Sequence, residues 1–334
     1  MALSTALSAP RRPFGAVLTA MVTPMTPDGE IDLEAAAKLA RFLVDQGNDG
    51  LVLNGTTGEA PATHAQEKMD LIATVVEAVG DRAHVVAGAG SNDTDHAVRM
   101  AEQAAEAGAH GLLVVTPYYS RPTQEGLYRH MVKVAESTEL PVMVYDIPGR
   151  AGLRIAPVTY ERLAEHEQFV ASKDATGDVF SASKLIQATG WAWYSGDDGL
   201  LLPFLSVGAS GIVGVATHVI SQQYAEAVRA FDAGDHALAL TLFRQVTPAV
   251  DALNGAGAQA VMAKAAVEAL GLIDNRHLRL PNVQATDTEA AAVRAALEQA
   301  GVFDPDAART PQTTGSEGPD PFTLPHATAQ EVAR

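Results

Sequence analysis

The sequence predicts a (β/α)8 TIM barrel followed by a C-terminal helical extension. Short runs rich in Val, Leu, Ile and Ala recur eight times, and a longer segment with helical periodicity follows each. The runs are continuously apolar rather than alternating, which marks strands covered on both faces, as in a parallel sheet. Eight β-then-α units over about 220 residues match the size of such a barrel. An open, doubly wound sheet is the other arrangement that the same units allow.

Taken in order, residues 1–13 read as a frayed lead-in. No charged region precedes a long apolar core there, so the segment makes a poor signal peptide. The barrel is expected over 14–233, with strands at 16–23, 50–54, 84–88, 111–116, 141–145, 169–173, 193–195 and 211–215. Asp32 is placed to cap a helix over 33–46, Thr63 one running to Val79, and Thr94 one running to Ala107. From about Ser221 the chain turns Ala-rich and helical, with Gly234 and Gly271 as helix stops. Residues 234–303 therefore form a C-terminal helical region, packed on the barrel or on another subunit. Residues 304–334, rich in Pro, Thr, Gly and Asp, hold too little apolar surface to offset ordering and are expected to be a disordered tail.

Composition narrows the function. A hydrophobic content of 47% across 334 residues can bury a large core, and no apolar run approaches the roughly 18 residues of a membrane span. The formal net charge of −17 argues against a nucleic-acid partner, because little would neutralise phosphates. The chain has no cysteine, which excludes thiolate metal sites and suits a cytoplasmic location. Its ten histidines are scattered without a ligand motif, so no metal is expected. Residues 88–93 lack the third glycine of a dinucleotide fingerprint.

In a barrel, chemistry belongs at the C-terminal ends of the strands. There the sequence places Gly55-Thr56-Thr57-Gly58, Tyr118-Tyr119-Ser120-Arg121, Tyr145-Asp146-Ile147-Pro148-Gly149-Arg150, Lys173-Asp174 and Ser195-Gly196-Asp197-Asp198. Each has an ordinary reading by itself: a solvated lysine, a packed tyrosine, a threonine turn, a salt-bridging arginine. Their coincidence on successive loops points to one pocket. A free lysine is neutral in only about one molecule in 2,500 at pH 7; lowering its pKa to roughly 8 raises that fraction to near a tenth. A neutral amine attacks a ketone to form a Schiff base, an electron sink for the adjacent carbon. A phenol such as Tyr145 can carry the protons, and threonine hydroxyls can link it to a second phenol. Backbone N–H groups of the Gly-Thr-Thr-Gly turn can hold one carboxylate and the Arg150 fork another. Such a pocket takes a 2-oxo acid and an acidic aldehyde.

These loops resemble those of the pyruvate-dependent class I aldolase and N-acetylneuraminate lyase superfamily, over roughly residues 14–302, and most closely its dihydrodipicolinate synthase branch. The resemblance implies a lyase that condenses pyruvate with L-aspartate 4-semialdehyde, on the diaminopimelate route to lysine, with no cofactor beyond the covalent Schiff base. It implies that Lys173 forms the imine, that Tyr145 donates and accepts protons, and that Thr56 relays them to Tyr119, which reaches into a neighbour's site. Thr57, Val213 and Gly196 would lie against bound substrate, and Arg150 would hold the semialdehyde carboxylate. The assembly implied is a homotetramer, a dimer of dimers. Where the branch commonly has Ile-Ser, this chain has Val213-Gly214, and the missing hydroxyl is expected to loosen the floor of the pyruvate site. Lysine-inhibited members bind lysine near the second and third units. Here Asn92 and Tyr118 remain, but Ala65, Lys68 and His96 occupy the matching positions, so weak or absent feedback inhibition is expected. The alternatives are an aldolase or lyase of the superfamily acting on a sugar acid or another 2-oxo acid, and a non-catalytic metabolite-binding barrel.

Overall fold

The computed structural model describes residues 10–255 and 257–302. Eight parallel strands close into a barrel: β1 (Val17–Ala20), β2 (Gly50–Leu53), β3 (His84–Gly88), β4 (Gly111–Val115), β5 (Val142–Asp146), β6 (Phe169–Asp174), β7 (Ala192–Ser195) and β8 (Gly211–Gly214). Each pairs with the next, and β8 pairs with β1 to complete the ring. Strand ends differ from the sequence expectation by small amounts: β1 stops at Ala20 although apolar residues continue to Val22, whereas β5 and β6 run on to Asp146 and Asp174.

The inward faces of the strands supply one core, including Leu18, Val52, Val86, Leu113, Met143, Tyr145 and Val213. The outward faces pack against the helices in a larger cluster. This two-sided burial is why the strands read as continuous apolar runs. Phe14 belongs to the inner core, and Gly111 leaves room for it: a Cβ there would stand 2.6 Å from the Phe14 ring.

Asp32 caps the helix Leu33–Asp45, its carboxylate accepting from the Ala35 N–H at 2.9 Å. The next two caps differ from expectation. The helix Ala65–Val79 is capped at His64, whose N–H donates to Glu67, because the Thr63 hydroxyl is engaged by the Lys68 ammonium at 2.8 Å. Thr94 is the first residue of the helix Thr94–Glu106, and Asp93, with a stronger acceptor, takes the N–H groups of Asp95 and His96.

Past β8 the helix Thr217–Asp232 starts slightly earlier than expected, followed by His236–Gln245, Thr247–Asn254, Gln259–Ala269 and Asp287–Gln299. Gly234 and Gly271, at φ +82° and +69°, end helices in the left-handed conformation that glycine adopts most readily. These helices pack on the barrel: Val17 and Ile212 share a core with Tyr224, Val250, Met262 and Leu297. Arg12 is anchored as well, donating to the Ser210 carbonyl and pairing with Asp232. Most of the expected lead-in (residues 1–9) and all of the expected tail (304–334) lie outside the described residues.

Candidate active site

Strand register brings the two central residues together. Tyr145 on β5 and Lys173 on β6 are direct Cα partners, and Lys173 pairs on its other side with Tyr194 of β7. The Lys173 Nζ lies 4.5 Å from the Tyr145 ring centroid. Lys173 is only 5% exposed and makes no hydrogen bond among the described residues. Burial lowers its pKa to about 8, Asp198 opposes that fall, and the like charge of Arg150 assists it. Burial pushes the Tyr145 phenol up to about 12, while the Arg150 charge and the Thr56 hydroxyl pull it down. The phenol therefore keeps its proton at neutral pH and can donate it to a developing anion.

Thr56 and Thr57 follow β2 in a turn flanked by Asn54 and Glu59, both at positive φ. Thr57 is buried, whereas Thr56 faces the open mouth. A cavity of about 390 Å³ is lined by Thr56, Tyr145, Arg150, Tyr118, Lys68 and His96, among others. A smaller cleft of about 170 Å³ is bounded by Thr56, Thr57 and Arg150 on the barrel side and by Gln259 and Asn282 on the C-terminal side. Arg150 lines both spaces from the short helix Pro148–Ala151, and its Nη2 donates to Gln259 Oε1 at 3.4 Å. Gly196 donates its N–H to the Asp174 carbonyl at 2.7 Å, and a Cβ there would press on Ala175 at 3.0 Å.

Tyr119 is not brought into this chain's pocket. It stands 90% exposed at φ +71°, and Tyr118 lines the cavity instead. Val213 is buried in the inner core. A Cβ on the next residue, Gly214, would lie 2.2 Å from Asp198 Oδ1, so that carboxylate occupies the space a side chain there would need.

Sequence reasoning passed over Asp146 and Asp174, register partners immediately after the Tyr145–Lys173 pair. Both are buried in the layer between barrel and helices, where Trp193 Nε1 donates to Asp174 at 3.0 Å. Their position beside the two central residues was the available signal. Gln259 and Asn254, from the helical extension, had none. Among the described residues no group of three or more His, Cys, Asp or Glu could hold a metal ion, and no helix is long and apolar enough to cross a membrane.

A model of the dihydrodipicolinate synthetase family matches residues 13–300. The chain belongs to that family. As a dihydrodipicolinate synthetase family member it is 54% identical over 291 residues to the 4-hydroxy-tetrahydrodipicolinate synthase of Bifidobacterium longum, covering 87% of this chain and 96% of that protein. Its fold is similar to the crystal structure of a dihydrodipicolinate synthase from Bacillus anthracis, with a TM-score of 0.82, 41% identity, and coverage of 85% of this chain and 98% of that one. It is also similar to the Acinetobacter baumannii enzyme, solved in complex with pyruvate, with a TM-score of 0.83, 35% identity, and coverage of 87% and 100%.

Proposed function

We propose that this chain is a 4-hydroxy-tetrahydrodipicolinate synthase that joins pyruvate to L-aspartate 4-semialdehyde through a Schiff base on Lys173. The observation that carries this reading is the pairing of a buried lysine, without a hydrogen-bond partner among the described residues, with a buried phenol on the adjacent strand. With its pKa near 8, the amine is neutral in about a tenth of molecules at pH 7, enough to attack the keto carbon. Loss of a methyl proton gives an enamine whose carbon attacks the aldehyde, and Tyr145 supplies and removes the protons. Thr56 links Tyr145 toward a Tyr119 contributed by a second copy. The exposed tip of Tyr119 suits that role, and we read the assembly as a homotetramer acting in the cytoplasm. Thr57, with the Val213 backbone and Gly196, receives pyruvate, and its carboxylate lies on the Thr57 turn. The Arg150 fork takes the semialdehyde carboxylate in the cleft it shares with Gln259.

Weak feedback by lysine belongs to the same reading. Lys68 and His96 line the cavity beside Tyr118, and the Lys68 ammonium already occupies the carbonyls of Ala60 and Thr63 that would attract an amine. Half-maximal inhibition by submillimolar lysine would sink this part.

The deciding assay is pyruvate consumption with L-aspartate 4-semialdehyde, beside N-acetylmannosamine and glyceraldehyde, together with borohydride trapping and peptide mapping. Turnover with the semialdehyde and a pyruvate adduct on Lys173 are expected. Turnover only with a sugar aldehyde would move the chain to the lyase reading. The absence of any adduct would favour a non-catalytic barrel.

A further inference from the structure

The turn that follows β2 is held in three ways. Thr23, just past β1, donates its hydroxyl to the Gly58 carbonyl at 2.7 Å. Within the turn, the Glu59 N–H donates to the Thr56 carbonyl at 3.1 Å and the Ala60 N–H to the Gly55 carbonyl at 3.2 Å. The third hold comes from the C-terminal extension. There Glu59 Oε1 accepts from the Lys264 ammonium at 2.7 Å, and Oε2 accepts from the Arg279 N–H at 3.0 Å. Among the described residues, no backbone carbonyl takes the N–H groups of Thr56, Thr57 or Gly58. The turn is therefore fixed by its carbonyls and by one side chain, which leaves those donors for an anion.

Two features set Glu59 apart from an ordinary salt-bridge partner. Its backbone is left-handed, at φ +57°, a conformation unfavourable to a residue with a Cβ and kept only where the surroundings impose it. Its ion pair with Lys264 is also dry, the two side chains being 0% and 1% exposed. Apolar side chains of similar volume could join these surfaces as stably, because desolvating two charges offsets most of their attraction. What the ion pair adds is a fixed geometry, two residues from Thr57. Its far end is anchored in turn. Lys264 donates to the His277 carbonyl at 2.6 Å, and the Arg279 guanidinium donates to the carbonyls of Gly29 at 2.8 Å and Ala62 at 2.9 Å.

We propose that Glu59 and Lys264 are positioning residues for pyruvate: their ion pair holds Glu59 in its left-handed conformation, and with it the N–H groups of Thr56, Thr57 and Gly58 in the arrangement that receives the carboxylate. The proposal rests on reading this turn as the pyruvate carboxylate site. Both residues act through the backbone of the turn, so a side chain of the extension sets an affinity inside the barrel. Arg150 stands outside this device, on the separate short helix Pro148–Ala151.

The test is the double variant Glu59→Gln with Lys264→Met in the full chain, beside wild type and Thr57→Ala. The double variant removes both charges of the pair, and the extension keeps its hold through the Arg279–Glu67 pair and the core of Tyr224, Met262 and Leu297. The readouts are the pyruvate concentration that half-saturates borohydride trapping and the KM of each substrate in turnover. Both pyruvate values should rise about tenfold, while the semialdehyde KM stays within about twofold of wild type. Loss of folded protein alone would lower the trapped amount and kcat and leave both KM values in place. That pattern overturns the proposal, as does an equal rise in the two KM values. Should the double variant fail to fold, Glu59→Asp decides. It keeps the charge but shortens its reach, and it should raise the pyruvate KM at least about threefold; an unchanged value overturns the proposal. Thr57→Ala separates the proposal from the reading beneath it. Weakened pyruvate binding there, with wild-type half-saturation in the double variant, overturns the proposal alone. Wild-type half-saturation in Thr57→Ala removes the reading of the turn, and the proposal with it.

Discussion

Two regions of the molecule each bury an amine, and they use it in opposite ways. At the seam between the helix Gln259–Ala269 and the loop after β2, Lys264 is fully enclosed and donates to Glu59 Oε1 at 2.7 Å and to the His277 carbonyl at 2.6 Å. The second Glu59 oxygen accepts from the Arg279 N–H at 3.0 Å, so both partners are satisfied. At the end of β6, Lys173 is nearly as enclosed, but among the described residues it makes no hydrogen bond or ion pair, and the Tyr145 ring lies 4.5 Å from its Nζ. Burial disfavours the charge in both. At Lys264 the Glu59 carboxylate opposes that fall and keeps an ammonium, which fastens the extension to the threonine turn. Lys68 sharpens the lesson, because its pKa also falls to about 8 but its protons are held by Ala60 and Thr63 oxygens. A lowered pKa makes a nucleophile only where the lone pair is free.

The strongest way to break this contrast is Lys173→Met. Pyruvate consumption should fall at least about a thousandfold and the borohydride adduct should vanish. The melting temperature should hold or rise, because a desolvated amine has been replaced by an apolar chain of similar shape. A calorimetric scan showing a large loss of stability would place Lys173 with Lys264 as a fastener. Next is Tyr145→Phe, expected to lower kcat by roughly a hundredfold or more in steady-state assays while leaving the fold intact.

Lys264→Met should do the reverse. It leaves the Glu59 carboxylate buried without its ammonium, at a cost of about 3–5 kcal/mol in urea denaturation. Adding Glu59→Gln should recover much of that loss, since no charge then remains buried.

The smallest effect tests the pair behind the site. Burial pushes Asp146 up to about 7, with Asp174 adding to the shift, and its Oδ1 has no partner. A carboxyl whose folded pKa is raised stabilises most below its unfolded value near 4 and loses that contribution as pH climbs through 7. Asp146→Asn should therefore flatten the fall in melting temperature between pH 5 and pH 8. The gain at pH 8 should be on the order of 2 kcal/mol, with kcat little changed. A variant whose melting curve keeps the wild-type pH slope would show that Asp146 does not titrate in that range.

Much of this was legible in the chain itself. Apolar runs of strand length that end in Lys173, Tyr145 and the Gly55–Gly58 turn announce both the barrel and the face that bears chemistry, because burial on both faces and a fixed strand direction are local consequences of sequence. The helix stops at Gly234 and Gly271 were equally local. The caps at His64 and Asp93 were misplaced because Thr63 is claimed by a lysine side chain and Thr94 stands beside a stronger acceptor. What only the tertiary structure decided is electrostatic. Lys264 and Glu59 are 205 residues apart, Asp198 and Asn254 are 56 apart, and no pattern along the chain joins them. The sequence determined which side chains could reach the barrel mouth. Closure of the barrel and docking of the extension determined which charges meet, and therefore which buried amine stays an ammonium and which is free to react.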